Sequence, residues 1–250
     1  MHESRFMMGM PITVEVVDRS ARAVDIADVF AYFDAVDRRF STYKRDSEIS
    51  RINRGEIAPS DYSPDMQTVL ALCAETKNLT DGFFDIARRD GSFDPSGLVK
   101  GWAIGRAAGM LKAFGYENFF VDAGGDIQVS GTNASGKPWS IGIKNPFNQS
   151  EIVKVVYPRG AGVATSGTYI RGQHVYNPKN KYAPIVDVVS LTVIGPSIYE
   201  ADRFATAAFA MGRESIAFIE SLDGFEGYLI DKDGMSISTS KFETYTKYSV

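Results

Sequence analysis

The chain has 250 residues, 44% hydrophobic and 23% charged, with 27 Lys+Arg against 31 Asp+Glu and a net charge of −4. That length can bury a sizeable core, and basic residues run no further than pairs such as Arg38–Arg39 and Arg88–Arg89, which argues against a nucleic-acid binder. A single cysteine, Cys73, rules out an internal disulfide, and with only His2 and His174 it cannot complete a Cys/His zinc site.

The N-terminus, "MHESRFMMGMPITVEVVD", has neither the basic n-region nor the unbroken apolar run of a signal peptide. No stretch approaches ~18 consecutive apolar residues, so no transmembrane helix is expected. The expected location is the cytoplasm, the alternative being an exported protein without its leader.

Residues Pro11–Asp18 alternate like a half-buried strand. From Ala21 to Phe40 the apolar residues recur at three- and four-residue spacing, predicting a helix with one buried face. Asp46–Gly55 reads as a short capped helix. Ser63 and Pro64 sit as N-cap and first residue of a helix that ends near Gly82. Cys73, inside it, falls on the apolar spacing as a small buried hydrophobe. Asp94–Gly115 is a further helix announced by a cap residue and a proline.

Beyond it the pattern turns to strands. "ENFFVDAGGDIQVSG" reads as two strands around a Gly124–Gly125 turn. "PWSIGIKNP", "SEIVKVVYP" and "AGVATSG" are short strands, and Pro184–Gly195 is a strong β run. A helix over Ala201–Gly212, a second over Arg213–Leu222 and a hairpin around Asp233–Gly234 complete the chain. Helices and strands are segregated, so the fold class is α+β with a largely antiparallel sheet, in one continuous domain over 1–250.

Some motifs fail on context. "GTNASGK" (Gly131–Lys137) has the Gly and Lys of a phosphate loop, but Pro138 stands where a Ser or Thr is needed, and the segment links two strands. It is a hairpin loop. No dinucleotide fingerprint follows a strand, and no nucleophile elbow exists.

Three signals survive. Asp202 and Thr206 are four apart and share a helix face. They are either an acidic first-turn residue and a hydroxyl bonded back to its own helix, or two hard oxygens for a metal ion. In "FDPSGLVKGWAIGR", the helix start at Asp94–Pro95 offers first-turn N–H groups to an anion. Lys100 near that first turn opposes the helix dipole unless an anion offsets it, and Gly97 permits a carbonyl to turn outward. In "GVATSGTYIRGQHVYNP", hydroxyls and small residues surround Thr165–Ser166–Gly167, and His174 is either a surface histidine on a hairpin or a base. Taken together, these are the inventory for magnesium-assisted cleavage of a pyrophosphate, because Mg2+ binds through few protein oxygens plus substrate phosphates.

The segments "MMGMP", "FSTYKRDSEISRIN", "FFDIARRDGSFDPSGLVKGWAIGR", "DAGGDI", "VATSGTYIRGQHVYNP" and "SLTVIGPSIYEADRFATAAFAMG" follow in an order that resembles the ApbE family, the FAD:protein FMN transferases. The likeness runs from about Met7 to Gly212. It implies an ApbE-like fold with an FAD cleft between sub-lobes. It also implies FAD as substrate, a requirement for Mg2+, and transfer of the FMN half through a phosphoester to a Ser or Thr hydroxyl of an acceptor protein, with AMP leaving. Family acceptors are flavin-carrying redox subunits with short motifs ending in Ala-Thr. Some members instead hydrolyse FAD to FMN and AMP, and a non-catalytic flavin-binding protein is a further alternative.

Residue by residue, the resemblance implies metal ligation by Asp202, Thr206 and the carbonyl of Gly97. It implies FAD contacts by Asp94 and Lys100, and a flavin cleft lined by Met8, Tyr43, Phe84, Asp85 and Ile86. Thr165 and Ser166 fall in a loop facing the cofactor, and His174 matches the base. There are two departures. Asp122 stands where the family has Asn before "AGGD", adding a negative charge. Asn177 stands where the family has Asp, which weakens the basicity argued for His174.

Overall fold

A computed structural model describes residues 1–168, 176–180 and 183–248. The chain opens with a hairpin of β1 (His2–Met7) and β2 (Met10–Val16). Its turn, Met8–Gly9, has positive φ at both residues (53° and 75°), the two-residue geometry that matches strand twist. The helical section follows: α1 (Ala23–Phe40), α2 (Glu48–Asn53), α3 (Pro64–Leu79) and α4 (Ser96–Ala113). β3 (Phe119–Ala123) and β4 (Asp126–Ser130) then pair around Gly124–Gly125, again with both φ positive. A ribbon of β5 (Ile141–Lys144) and β6 (Ile152–Val156) leads to β7 (Gly162–Gly167) and a short pair, β8 (Tyr176–Asn177) and β9 (Ala183–Pro184). The chain closes with β10 (Val188–Gly195), α5 (Ile198–Ala210), α6 (Ser215–Glu220), β11 (Glu226–Asp231) and β12 (Ser236–Ser238).

The main sheet has eight strands in the order β1-β2-β3-β4-β7-β10-β11-β12, each antiparallel to its neighbours. That is the α+β arrangement expected. The register puts the Met8–Gly9, Gly124–Gly125 and Asp233–Gly234 turns, the end of β7 and the start of β10 at one end of the sheet.

Both faces of the sheet are covered. One carries Ile12, Val14, Phe119 and Val121 against α1, α4 and α5. The other carries Ile127, Val129, Val163 and Ile194 against Trp139, Ile141, Val156 and Phe242. Period-two alternation assigns each strand residue to one core or the other. Cys73 is buried on α3, and burial pushes its thiol up to about 12, as suits an inert apolar position. Among the described residues no helix is long and apolar enough to cross a membrane.

Several boundaries differ from the sequence reading. β1 belongs to no predicted element, because an exposed edge strand shows little hydrophobic alternation. β10 starts at Val188, four residues after Pro184. α4 starts at Ser96 with Pro95 at the cap, and Asp94 Oδ1 accepts the Ser96 N–H at 3.1 Å. α5 starts at Ile198, where Ser197 caps it by accepting the Glu200 N–H at 3.3 Å. Gly131–Lys137 is a hairpin loop, closed by Asn133 Oδ1 accepting the N–H groups of Ser135 and Lys137.

α4 and α5 pack antiparallel along a seam of glycines. A Cβ on Gly97 would lie 2.9 Å from Thr206 Cγ2, one on Gly101 2.5 Å from Asp202 Cβ, and one on Gly105 3.7 Å from Ile198 Cγ2. The four-residue spacing on one helix meets the four-residue spacing on the other. Where α5 begins, it rests on β7: a Cβ on Gly162 would fall 2.1 Å from the Ile198 nitrogen. We expect Gly101→Ala to cost roughly 1–3 kcal/mol by overpacking, read as a lower melting temperature with the helical circular dichroism retained.

At the far end of the helix layer, Arg22 donates to both oxygens of Asp25, at 2.9 and 2.6 Å, and the Tyr116 hydroxyl donates to the same carboxylate. These bonds hold the Asp25 carboxyl below its usual range. A depressed carboxylate stabilises the fold above its unfolded pKa and loses that contribution as pH falls through the folded value. Asp25→Asn is therefore expected to melt below wild type at pH 7, the gap closing as the pH is lowered through the carboxylate range.

Candidate active site

Four elements converge at the sheet end that carries the turns. α4 supplies Gly97, Lys100 and Gly101; α5 supplies Asp202 and Thr206; β4 supplies its first residue, Asp126; β7 supplies the main chain of Thr165. Asp202 is not the opening residue of its helix. With Ile198 as the first residue it lies one full turn in, and it is buried. Its Oδ2 accepts the Gly101 N–H at 2.7 Å. Thr206 does not bond back to its own helix; its hydroxyl donates across the seam to the Gly97 carbonyl at 3.2 Å.

These two contacts are linked. In an α-helix the N–H of residue 101 is aimed at the carbonyl of residue 97. Asp202 engages that N–H, and Thr206 engages that carbonyl. One backbone position of α4 is thus read from both sides by one face of α5. A carboxylate, a hydroxyl and a main-chain carbonyl come together there, all hard oxygens of the kind that suit Mg2+. Among the described residues no group of three or more His, Cys, Asp or Glu could hold a metal, so a cation at this place would depend on Thr206 and Gly97 as well as on Asp202.

The charges are close and dry. Lys100 Nζ forms an ion pair with Asp126 Oδ2 and lies 3.8 Å from Asp202 Oδ1. Asp126 is 1% exposed and Asp202 3%. Burial raises the Asp202 carboxyl above its usual range; the charge of Asp126 adds to the rise, while Lys100 and the Gly101 N–H oppose it. Asp126 Oδ1 accepts the Thr165 N–H at 2.9 Å, which ties β7 to the cluster.

The expected anion site at the start of α4 takes a different form. The Ser96 N–H is spent on Asp94, and those of Leu98 and Val99 on the Pro95 carbonyl. Lys100 lies beyond the first residues of the helix, and among the described residues Asp126 and Asp202 offset its charge.

The remaining predicted residues fall in several places. Phe84 is buried, its ring 3.4 Å from where a Gly97 Cβ would stand, so it underlies the site. Asp85 accepts the Lys77 ammonium at 2.7 Å and the Ala87 N–H at 3.0 Å. The Ile86 carbonyl accepts the Asp94 N–H at 2.8 Å, and Asp94 is ion-paired with Arg88. Met8 sits in the β1–β2 turn at the same sheet end. Tyr43, between α1 and α2, is 97% exposed.

Thr165 and Ser166 lie in strand β7, not in a loop. Thr165 pairs across with Thr192, hydroxyl to hydroxyl at 2.9 Å. By alternation with Val163 this is the face away from the helices, so Thr165 serves the cluster through its backbone and not its hydroxyl. Ser166 is buried on the helix-facing side, alternating with Ala164. His174 lies outside the described residues. Of the two departures, Asp122 Oδ1 accepts the Gly125 N–H at 2.7 Å, bracing the turn, and burial raises its carboxyl. Asn177 Oδ1 accepts the N–H groups of Lys179 and Asn180, so its side chain is committed to a turn.

The sequence reading missed two residues of the cluster, Asp126 and Gly101. Each left a signal: Asp126 is the first residue after a two-glycine turn, and Gly97, Gly101 and Gly105 recur every four residues.

The flavin transferase ApbE from Vibrio cholerae superposes with a TM-score of 0.86 at 25% identity, covering 98% of each chain. The ApbE protein from Thermotoga maritima gives 0.86 at 20% identity, covering 99% of each, which speaks to the fold. Among sequences, the FAD:protein FMN transferase of Vibrio cholerae is 27% identical over 78% of this chain and 79% of its own length. That of Haemophilus influenzae is 25% identical over 88% of this chain and 83% of its own length. The ApbE family model matches residues 8–90 and 87–229, a span that takes in both seam helices and the strands beneath them, and the chain belongs to the ApbE family.

Proposed function

We propose that this protein transfers the FMN half of FAD to a Ser or Thr hydroxyl of an acceptor protein, releasing AMP, with Mg2+ held by Asp202, Thr206 and the Gly97 carbonyl. The observation that carries this reading is the seam itself: three hard oxygens from two helices meet next to a lysine in a buried, acidic setting. The names of the relatives, FAD:protein FMN transferase, support the same reaction.

In the reaction, the acceptor oxygen bonds to the FMN-side phosphorus as the bond from that phosphorus to the bridging oxygen breaks, and AMP departs with the bridging oxygen. Such displacements need alignment and charge neutralisation more than covalent help from the protein. When bound, Mg2+ neutralises charge on the pyrophosphate oxygens. Asp202 and Thr206 are held in one orientation by α4, so they present their oxygens without reorganisation. Lys100 adds positive potential beside them. His174, on the strength of the family resemblance, takes the acceptor proton.

The deciding experiment is co-expression with a flavin-carrier domain bearing an Asp-Gly-x-x-Ser/Thr-x-Ala-Thr motif, followed by a denaturing gel read by flavin fluorescence. Wild type is expected to leave fluorescence on the acceptor band, and Asp202→Ala to abolish it. FMN and AMP in solution with a dark acceptor band would move the assignment to FAD hydrolysis. His174→Ala is expected to slow transfer by about 10²–10⁴-fold with FAD affinity nearly intact, as checked by single-turnover kinetics beside an FAD titration. A large loss of affinity would instead make His174 a binding residue.

A further inference from the structure

We propose that Asp126 is a positioning residue that takes up the charge of Lys100 and so leaves Oδ1 of Asp202 to a cation; this rests on the reading of Asp202 as a metal ligand. Asp202 has two oxygens, and Oδ2 is spent on the Gly101 N–H. The other, Oδ1, has Lys100 Nζ at 3.8 Å, beyond hydrogen-bond distance. The ammonium is in contact with Asp126 Oδ2 instead. The two carboxylates lie close to one another, and the ammonium is held by the one on β4.

Asp126 is built for that task. It is the first residue of β4, directly after the Gly124–Gly125 turn, and it is buried. Its Oδ1 is anchored by the Thr165 N–H at 2.9 Å, which fixes the side chain from the strand side and leaves Oδ2 turned to Lys100. By strand alternation it points to the same face as Gln128, whose Oε1 accepts the Ile198 N–H that opens α5. The sheet therefore fixes Asp126 and the start of α5 from neighbouring positions on one strand.

The charge count makes the consequence plain. With both carboxylates ionised, they and the one ammonium leave a net negative charge, which attracts a divalent cation in a site of low effective dielectric. Neutralise Asp126, and Lys100 and Asp202 cancel; the ammonium then moves towards Oδ1, and an incoming cation must displace it. Remove Lys100 as well, and the net charge returns to that of the wild type.

The test is a Mn2+ titration, with free ion followed by electron paramagnetic resonance and without FAD or acceptor. The proteins are wild type, Asp126→Asn, Lys100→Met, the double variant and Asp202→Asn, each checked for folding by thermal melting. Asp126→Asn keeps an oxygen for the Thr165 N–H and is expected to bind Mn2+ about tenfold more weakly or worse. The double variant is expected to recover to near wild type, and Lys100→Met alone to bind more tightly. If Asp126→Asn does not fold, Lys100→Met still decides: weaker binding by that variant overturns the proposal. Wild-type binding by Asp126→Asn, with Asp202→Asn unable to bind, overturns the role of Asp126 and leaves the metal site standing. A double variant as weak as Asp126→Asn makes Asp126 a ligand in its own right and also overturns it. Wild-type binding by Asp202→Asn removes the metal site and the role of Asp126 with it.

Discussion

The close approach of α4 and α5 is the constraint on which the site depends. A side-chain oxygen can reach a main-chain N–H inside another helix only if the two helix surfaces nearly touch, and here they do: a Cβ at Gly101 would stand 2.5 Å from Asp202 Cβ and 2.8 Å from the Ile198 carbonyl. Glycine within a helix costs about 1 kcal/mol against alanine. α4 accepts that cost along a stripe that faces α5, and the packing of an alanine- and phenylalanine-rich helix against it offsets the loss. In exchange, the carbonyl of Gly97 is placed by the backbone, and the carboxylate of Asp202 and the hydroxyl of Thr206 are each fixed by a bond to the main chain of α4.

The sheet completes what the helices begin. β4 follows a turn of only two residues, so its register against β3 is fixed and its alternation is fixed with it. Ile127 and Val129 face the second core; Asp126 and Gln128 face the helices, where one meets Lys100 on α4 and the other the first N–H of α5. A slip of one residue would send both polar side chains into the apolar side and leave Lys100 and the helix end without these partners. The two-glycine turn therefore has a role at some distance from itself: it sets which face of β4 is charged.

Much of this architecture was legible in the sequence, for identifiable reasons. Long amphipathic helices such as α1, caps such as Ser63 and hairpins such as Gly124–Gly125 are local events, and local chemistry decides them. The pairing of Asp202 with Thr206 was visible because helix periodicity alone puts them on one face. What they touch was not. The partner of Thr206 is more than a hundred residues away, and Asp126 reaches Lys100 only through the sheet. Lys100 looked like an open anion contact because its two carboxylates come from a strand and a helix far along the chain. Thr165 looked like a site hydroxyl because composition marks its segment as polar, whereas the strand turns that hydroxyl towards Thr192. The starts of α4 and α5 lie at Ser96 and Ile198 and not at Asp94 and Ala201, and the N–H bonds accepted by Asp94 and Ser197 settle both.

The position of the site at one end of the sheet also separates two requirements. Phosphoryl transfer needs charges held without reorganisation, and the carboxylates of Asp126 and Asp202 are buried on the helix-covered face of the sheet, each bonded to a main-chain N–H. A protein acceptor needs reachable surface, and the sheet end offers the Met8–Gly9 and Gly124–Gly125 turns, tight two-residue links whose positive φ values fix their shape. Met10 packs against Gly124, its sulfur 3.0 Å from where a Cβ would stand, so the two turns brace each other.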